Sequence, residues 1–442
     1  MTPRQYLSYY QYDDRLISGE FYAPDPLVLD PGDKVGVVLF NLGGPYKRAD
    51  VAPFLYNLFM DPAIIDMPLK GSWRHWLATF IAKSRGRKVV QDYEAIGGGS
   101  PINRITQEQA SALEGHLNDT YGRGAGISFR TYVAMRYWHP TSEEAVRRMQ
   151  QDGITKVLLL PLYPQYSKTS SGSSLMYWWT LEQASEIPYW PTSFVYEYAA
   201  NPKYIQAISE RIDEGLQRFP REDRADVELV FSAHGTPIRE MRDRHDPYCC
   251  HIHRSVEQVM ALRGYDRPFH VAFQSKVGPA EWLSPNLPNK LKEMAQAGKK
   301  AVLVNPMGFV CDHVGTQFEL DMEVREQAEG LGITRYEVTR GLNNHPLFIE
   351  ALGEVVAAQL RLPASEGVLG TGDGAPATRA GYPLRPWKEQ PLFGNGESCR
   401  RCRQCPAIVD ARNWTPGVPE PLPIVDPQRV EPGMVEPGSE SP

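Results

Sequence analysis

Several features that would assign this chain to a familiar class are scarce or missing. Only six cysteines occur in 442 residues, too few for a disulfide-stapled secreted scaffold, so they are expected to be metal ligands or free thiols in a reducing cytoplasm. No uninterrupted apolar run approaches the roughly 20 residues of a membrane span. The opening MTPRQYLSYYQYDD has neither a basic n-region followed by an apolar h-region nor an arginine-rich transit pattern, and a cytoplasmic location is expected. Positive charge is not in excess: 47 Lys and Arg against 53 Asp and Glu leave a net charge of -6. With no basic arm either, nucleic acid is not an expected partner. A Walker Gly-Lys-Ser/Thr is missing, and the glycine-rich Ile96 to Ile102 (IGGGSPI) lacks Gly-x-Gly-x-x-Gly spacing, so no nucleotide is expected.

What is present is a repeated plan. Gly36 to Pro45 (GVVLFNLGGP) and Glu228 to Pro237 (ELVFSAHGTP) each run from an apolar stretch into a glycine-containing turn closed by proline. Arg130 to Pro140 (RTYVAMRYWHP) recurs in outline as Phe269 to Pro279 (FHVAFQSKVGP), and Lys156 to Pro164 (KVLLLPLYP) as Lys300 to Pro306 (KAVLVNP). Between two of these strands, Thr141 to Asp152 (TSEEAVRRMQQD) has the Thr, early Glu and terminal Asp-Gly of a capped helix, a βαβ signature. Amphipathic helices are likewise expected over Asn201 to Arg218 and His251 to Leu262. Three strand-plus-loop units in the same order twice predict an α/β chain: two similar Rossmann-like, doubly wound, parallel-sheet halves facing a central cleft, with ligands where the strands end. The expected organisation is an extension over 1–34, a first half over 35–195 with an insertion at about 50–90, a second half over 196–362, and a largely irregular Pro/Gly-rich tail over 363–442. With 42% hydrophobic residues, the chain can bury two cores.

The insertion is apolar, with Phe54, Leu58, Phe59, Trp73, Trp76 and Phe80 edged by Lys70, Arg74, Lys83, Arg85, Arg87 and Lys88. That composition fits either a pair of core helices or a lip resting on an anionic bilayer. His234 follows a second-half strand and His313, in GFVCDHVGTQFELD, follows another. A single such histidine is more often structural, but two at neighbouring strand ends point to one cleft. Glu319 and Glu323 share a helix face at i, i+4, which suits a divalent-cation path or, equally, a solvated acidic helix start. In the tail, Cys399, Cys402 and Cys405 stand at two-residue gaps, a strong metal signal.

Together the blocks LFNLGGP, YEAIGGGSPI, MRYWHP, LPLYPQYSKTSSGSS, FSAHGTP with its later DPY, FQSKVGPAEWLSP and GFVCDHVGTQFELD make the chain resemble the ferrochelatases from about Val35 to Leu362. The resemblance implies insertion of ferrous iron, the substrate metal, into a porphyrin by bending the macrocycle and removing its pyrrole protons. It implies His234 as proton acceptor or iron receiver, His313 facing the same centre, and Leu42, Leu58, Arg85, Tyr93, Ser100, Arg136 and Trp282 lining or supporting the porphyrin pocket. Glu319, in a catalytic part, and Glu323 are the expected proton-exit or metal-delivery path in place of the family carboxylate missing at Gly315, the alternative being altered kinetics or a different metal preference. Asn41 to Pro45 is similar to the protoporphyrin-using branch rather than the coproporphyrin-using one. One departure stands out: the family usually has glutamate two residues after the second histidine, and this chain has Gly315.

The tail is similar to that of ferrochelatases carrying a [2Fe-2S] cluster, with zinc as the competing occupant. The body ligand of the best-known pattern falls at Lys168 here, so a fourth thiolate has to come from Cys249, Cys250 or Cys311, with Cys250 preferred. The expected partners are a porphyrin, ferrous iron and a membrane surface touched peripherally. Rival readings are a cobalt or nickel tetrapyrrole chelatase and a non-catalytic porphyrin or haem carrier.

Overall fold

A computed structural model describes residues 1–11, 27–65, 71–244, 246–275 and 280–362. Among them are β1 (Lys34–Asn41), β2 (Ser128–Met135), β3 (Lys156–Pro161), β4 (Thr192–Phe194), β5 (Glu228–His234), β6 (Phe269–Gln274), β7 (Ala301–Met307) and β8 (Arg335–Val338). They form two four-stranded sheets ordered β2-β1-β3-β4 and β6-β5-β7-β8. Every pairing is parallel, and the two orders are the same, so the duplicated, doubly wound α/β reading holds. All of β1 after Lys34 is buried, as a strand covered by helices on both faces requires.

The linking helices follow local signals. Thr141 and Glu144 form a reciprocal capping box on Ser142–Asp152, and Gly153 ends that helix at φ 68°, a left-handed position that glycine takes without strain. Asn201 accepts from the amides of Lys203 and Tyr204 to start Pro202–Leu216. The N-terminal extension contains a helix that composition did not announce, Pro3–Tyr9, begun by a Thr2/Gln5 capping box and Pro3. Its Tyr6 is buried.

One apolar cluster runs through both sheets, from Val37, Leu39 and Leu160 to Leu229, Phe231 and Leu303, and takes in Phe348 and Leu352 of the Pro346–Gln359 helix. The halves therefore share a core. Polar bonds cross between them too: Cys311 donates to Gln109 at 3.1 Å and Asn41 Nδ2 approaches its sulfur at 3.6 Å.

The insertion forms the helices Val51–Met60 and Ser72–Ala95. Phe54, Leu55, Phe59 and Met60 pack on Ala78, Ala82 and Tyr93, while the opposite face of the second helix turns Trp73, Trp76 and Phe80 to solvent at 70%, 59% and 57% exposure. Core packing and an exposed aromatic edge thus coexist on one helix. Arg74 does not edge that face; it is buried and donates to the carbonyls of Asp61 and Ile65. Lys70 and the tail with Cys399, Cys402 and Cys405 lie outside the described residues. No described helix is long and apolar enough to cross a membrane.

Candidate active site

His234 ends β5, and its loop is built to hold it there. Gly235 donates to the Gln274 carbonyl at 2.7 Å, and a Cβ at that glycine would sit 2.8 Å from the same oxygen and 3.1 Å from the Trp282 ring. Only glycine lets β5 lie this close to the end of β6 with Trp282 laid over the turn. His234 Nδ1 bonds the Gly235 carbonyl at 2.7 Å, and Tyr248 donates to the His234 carbonyl at 3.1 Å. Nε2 has no hydrogen-bond partner among the described residues.

His313 follows β7 in a tight turn. Its amide donates to Thr316 Oγ1 at 2.9 Å, and the Gly315 amide donates to His313 Nδ1 at 2.8 Å. Both imidazoles pack edge-on against Phe309, with centroid distances of 6.2 Å for His234 and 4.1 Å for His313. Phe309 is the shared wall of the centre. Burial pushes His313 down to about 4, with Asp312 pulling upward and His234 pushing further down. Burial also lowers His234, opposed by its bond to Gly235 and by the charge of Glu319. Both rings are neutral near pH 7.

The acidic residues lie on a π-helix, Gly315–Glu323, rather than an α-helix. Its wider i→i+5 turn is frequent at functional sites, and it keeps Glu319 and Glu323 on one side. Ser275 donates to Glu319 at 2.9 Å. Opposite the π-helix, Asp92 of the Ser72–Ala95 helix is raised by burial and by the charges of Glu323 and Glu319, with Lys88 opposing. Lys88 pairs with Glu323 at 3.9 Å. The result is a carboxylate row from the His234 field to the helix surface, shared between the second half and the insertion. Asp92, Ser275 and Phe309 were not singled out in the sequence, and Lys88 was read only as a cation edging the insertion; only the long-range fold brings them here.

Leu42, Leu58 and Tyr93 belong to one apolar cluster with Val314, the neighbour of His313, so the insertion packs against the residue beside that imidazole. Ser100 sits on the turn after β1, donating its amide to the Pro45 carbonyl at 2.8 Å and touching Gly44, where a Cβ would lie 2.5 Å from its own. Arg85 is exposed on the Ser72–Ala95 helix. Arg136 is turned inward instead: it pairs with Asp61 at 2.9 Å, donates to Ser173 at 2.9 Å and lies over the rings of Tyr6, Tyr137 and Tyr177. Its guanidinium supports the insertion from below.

Comparison with known proteins matches this architecture to the ferrochelatase family model over residues 34–360. The ferrochelatase of Cyanothece sp. is 42% identical over 336 residues, 75% of this chain and 84% of that protein. That of Synechococcus elongatus is 41% identical over 331 residues, with 75% and 84% covered. The chain belongs to the ferrochelatase family. Among solved structures, "SirB from Bacillus subtilis with Fe3+" overlays with a TM-score of 0.42 and 13% identity, covering 74% of this chain and 96% of that one.

For this ferrochelatase-family chain the body cysteines are distinct in environment. Cys311 is held by Gln109, Asn41 and Thr106, and burial pushes its thiol up to about 12. A thiolate is disfavoured there. Cys249 faces the shared core, and Cys250 beside it is buried outside that cluster. Lys168 is buried in an ion pair with Glu240 at 2.9 Å, so a cluster at that position does not fit. Among the described residues, no three His, Cys, Asp or Glu side chains converge to hold a metal ion.

Proposed function

We propose that the chain inserts ferrous iron into protoporphyrin IX, and that His234, His313 and Glu319 do the chemistry. The observation behind this assignment is the pairing of two neutral imidazoles on one Phe309 wall, with Glu319 acting on His234. A flat porphyrin keeps its nitrogen lone pairs in the ring plane and holds two protons on them. Insertion has to bend the ring, strip water from iron and release two protons. Contacts from Leu42, Leu58 and Tyr93 with the rest of the macrocycle can supply a few kcal/mol of distortion. His234 accepts a pyrrole proton through a bare nitrogen, and Glu319, Asp92 and Glu323 lead charge between that centre and solvent. Protoporphyrin is favoured over coproporphyrin III by Asn41 to Pro45. Anaerobic incubation with ferrous iron and protoporphyrin should give the haem spectrum, with cobalt and nickel competing poorly; no haem, or preferred use of another metal, overturns the reading.

The stacked edge formed by Trp76 and Phe80, centroids 5.8 Å apart, with Trp73 beside it, supports peripheral contact with the inner membrane face of the cytoplasm, Lys83, Arg85 and Arg87 meeting anionic headgroups. The tail residues Cys399, Cys402 and Cys405 with Cys250 are the proposed holders of a [2Fe-2S] cluster. Cys250 remains the preferred fourth ligand, and Cys311 is disfavoured because burial pushes its thiol up to about 12. When bound, the cluster supplies a redox-active iron–sulfur centre, and no step of insertion passes through it. A colourless aerobic preparation with one zinc excludes the cluster.

A further inference from the structure

We infer that the two imidazoles are held in opposite tautomers, His234 offering a lone pair and His313 an N–H, and that Gly315 is the positioning residue that fixes the second. This deepens the iron-insertion reading and rests on it. A carbonyl oxygen only accepts, so the 2.7 Å contact to Gly235 O puts the His234 proton on Nδ1 and leaves Nε2 bare. A backbone amide only donates. The 2.8 Å bond from Gly315 N to His313 Nδ1 therefore makes Nδ1 the acceptor and sends that ring's proton to Nε2. Turning the His313 ring over would set a C–H against the amide.

The arrangement needs glycine. A Cβ at position 315 would lie 2.6 Å from His313 Cε1 and 3.0 Å from Nδ1, closer than side chains pack, so any other residue pushes the ring off the amide. The glutamate usual in the family could not share this geometry. His313 Nε2 is buried and unpartnered, and an orphan donor is costly, by about 1–3 kcal/mol. A ligand acceptor recovers that cost, and a porphyrin losing its pyrrole protons presents one as nitrogen lone pairs. The two histidines thus divide the work: His234 accepts the proton, while His313 donates a hydrogen bond to the charge left behind.

The test is a long-range proton–nitrogen correlation spectrum of the full chain labelled with 15N-histidine, at neutral pH, with signals assigned through His234→Gln and His313→Gln. His313 should show a bare Nδ1 and protonated Nε2, and His234 the reverse. In Gly315→Ala the His313 signals should shift to the other tautomer or a mixture while His234 is unmoved, and kcat should fall roughly 10–100-fold with porphyrin KM within about threefold. A proton on His313 Nδ1 in the unmutated chain overturns the inference, as does a Gly315→Ala variant with unchanged signals and rate. If that variant fails to fold, the unmutated spectrum decides alone. Expected tautomers without haem formation would sink the insertion reading and leave the tautomer pair standing.

Discussion

Replacing Asp61 by Asn removes one charge from a buried pair and, with the amide oxygen kept at the Oδ2 position, the bond that Oδ1 accepts from the Ala63 amide at 2.8 Å. Asp61 and Arg136 are 1% and 8% exposed and 2.9 Å apart. Asp61 also accepts from Tyr137 at 2.6 Å and Ser173 at 2.5 Å, bonds that an amide oxygen can keep. The guanidinium would stay buried without its counter-charge, and breaking such a pair costs about 3–5 kcal/mol. Part is offset, because Arg136 keeps Ser173 and three tyrosine faces at 4.3 to 5.0 Å, where cation–π attraction contributes on the order of 1–2 kcal/mol. A net loss of about 1–4 kcal/mol follows. For an ordered region of this size the unfolding entropy is roughly 0.7 kcal/mol/K, so Tm should drop by roughly 1.5–6 °C. Asp61 anchors the end of the Val51–Met60 helix, so porphyrin KM should rise more than iron KM. The double variant Asp61→Asn/Arg136→Gln should regain most of the Tm loss, since neither charge is left. A single-variant drop below about 1 °C, or strict additivity in the double, would mean that the pair is solvated and the reasoning wrong.

His234→Ala should lower kcat by about 10²–10⁴ while porphyrin Kd changes less than about threefold, measured by fluorescence quenching; near-normal turnover removes His234 from the mechanism. Charge reversal in Glu319→Lys should cut the insertion rate at least about tenfold and raise iron KM, and an unchanged rate would show that the carboxylate row is not the path. Ser at Trp73, Trp76 and Phe80 together should abolish cosedimentation with anionic vesicles and leave turnover of a soluble porphyrin intact; equal binding would refute the lip. Burial pushes both His251 and His313 down to about 4, below the unfolded value of about 6.5, so their stability contribution is whole above that pH and lost as pH falls towards 4. Burial raises Asp246 to about 6, which acts oppositely, so Tm should fall modestly from pH 6.5 to 4.5 and the slope should flatten in His251→Gln.

Local signals were enough for much of the fold. The Thr141 cap, the Asn201 cap and the apolar runs of β1 and β3 act within a few residues, and each formed where its chemistry put it. The repeated strand-loop blocks made the common sheet order legible, because order in a doubly wound sheet follows from the sequence of βαβ units. What was illegible depended on contacts made far along the chain. Arg136 looks like a pocket cation until Asp61 is folded onto it, 75 positions away in sequence. Asp92 looks like an ordinary helix-surface acid until the π-helix brings Glu319 and Glu323 opposite. The π form itself has no short sequence rule, because its Gly315 start is used to admit a ring rather than to end a helix.

The duplication explains why chemistry sits in one half. Aligning Gly36–Pro45 with Glu228–Pro237 puts Leu42 opposite His234, and aligning Arg130–Pro140 with Phe269–Pro279 puts Arg136 opposite Ser275. Equivalent positions at equivalent strand ends thus diverged in opposite senses. In the first half an apolar residue, Leu42, stands just past the end of β1, and the position after β2 gives its carboxylate, Asp61, a full counter-charge. In the second half an imidazole, His234, ends β5, and the position after β6 gives Glu319 a hydroxyl. A carboxylate locked in an ion pair can brace a wall but has little field left for a cation, whereas one bonded to a serine hydroxyl is not so offset. On the proposed reading, the same fold used twice has one surface to grip a macrocycle and one to draw iron and protons across it. Exchanging the two positions, with Ser275→Arg, should neutralise Glu319 and slow insertion without loosening porphyrin binding, and a variant that binds porphyrin poorly but turns over normally would reverse the assignment of the halves.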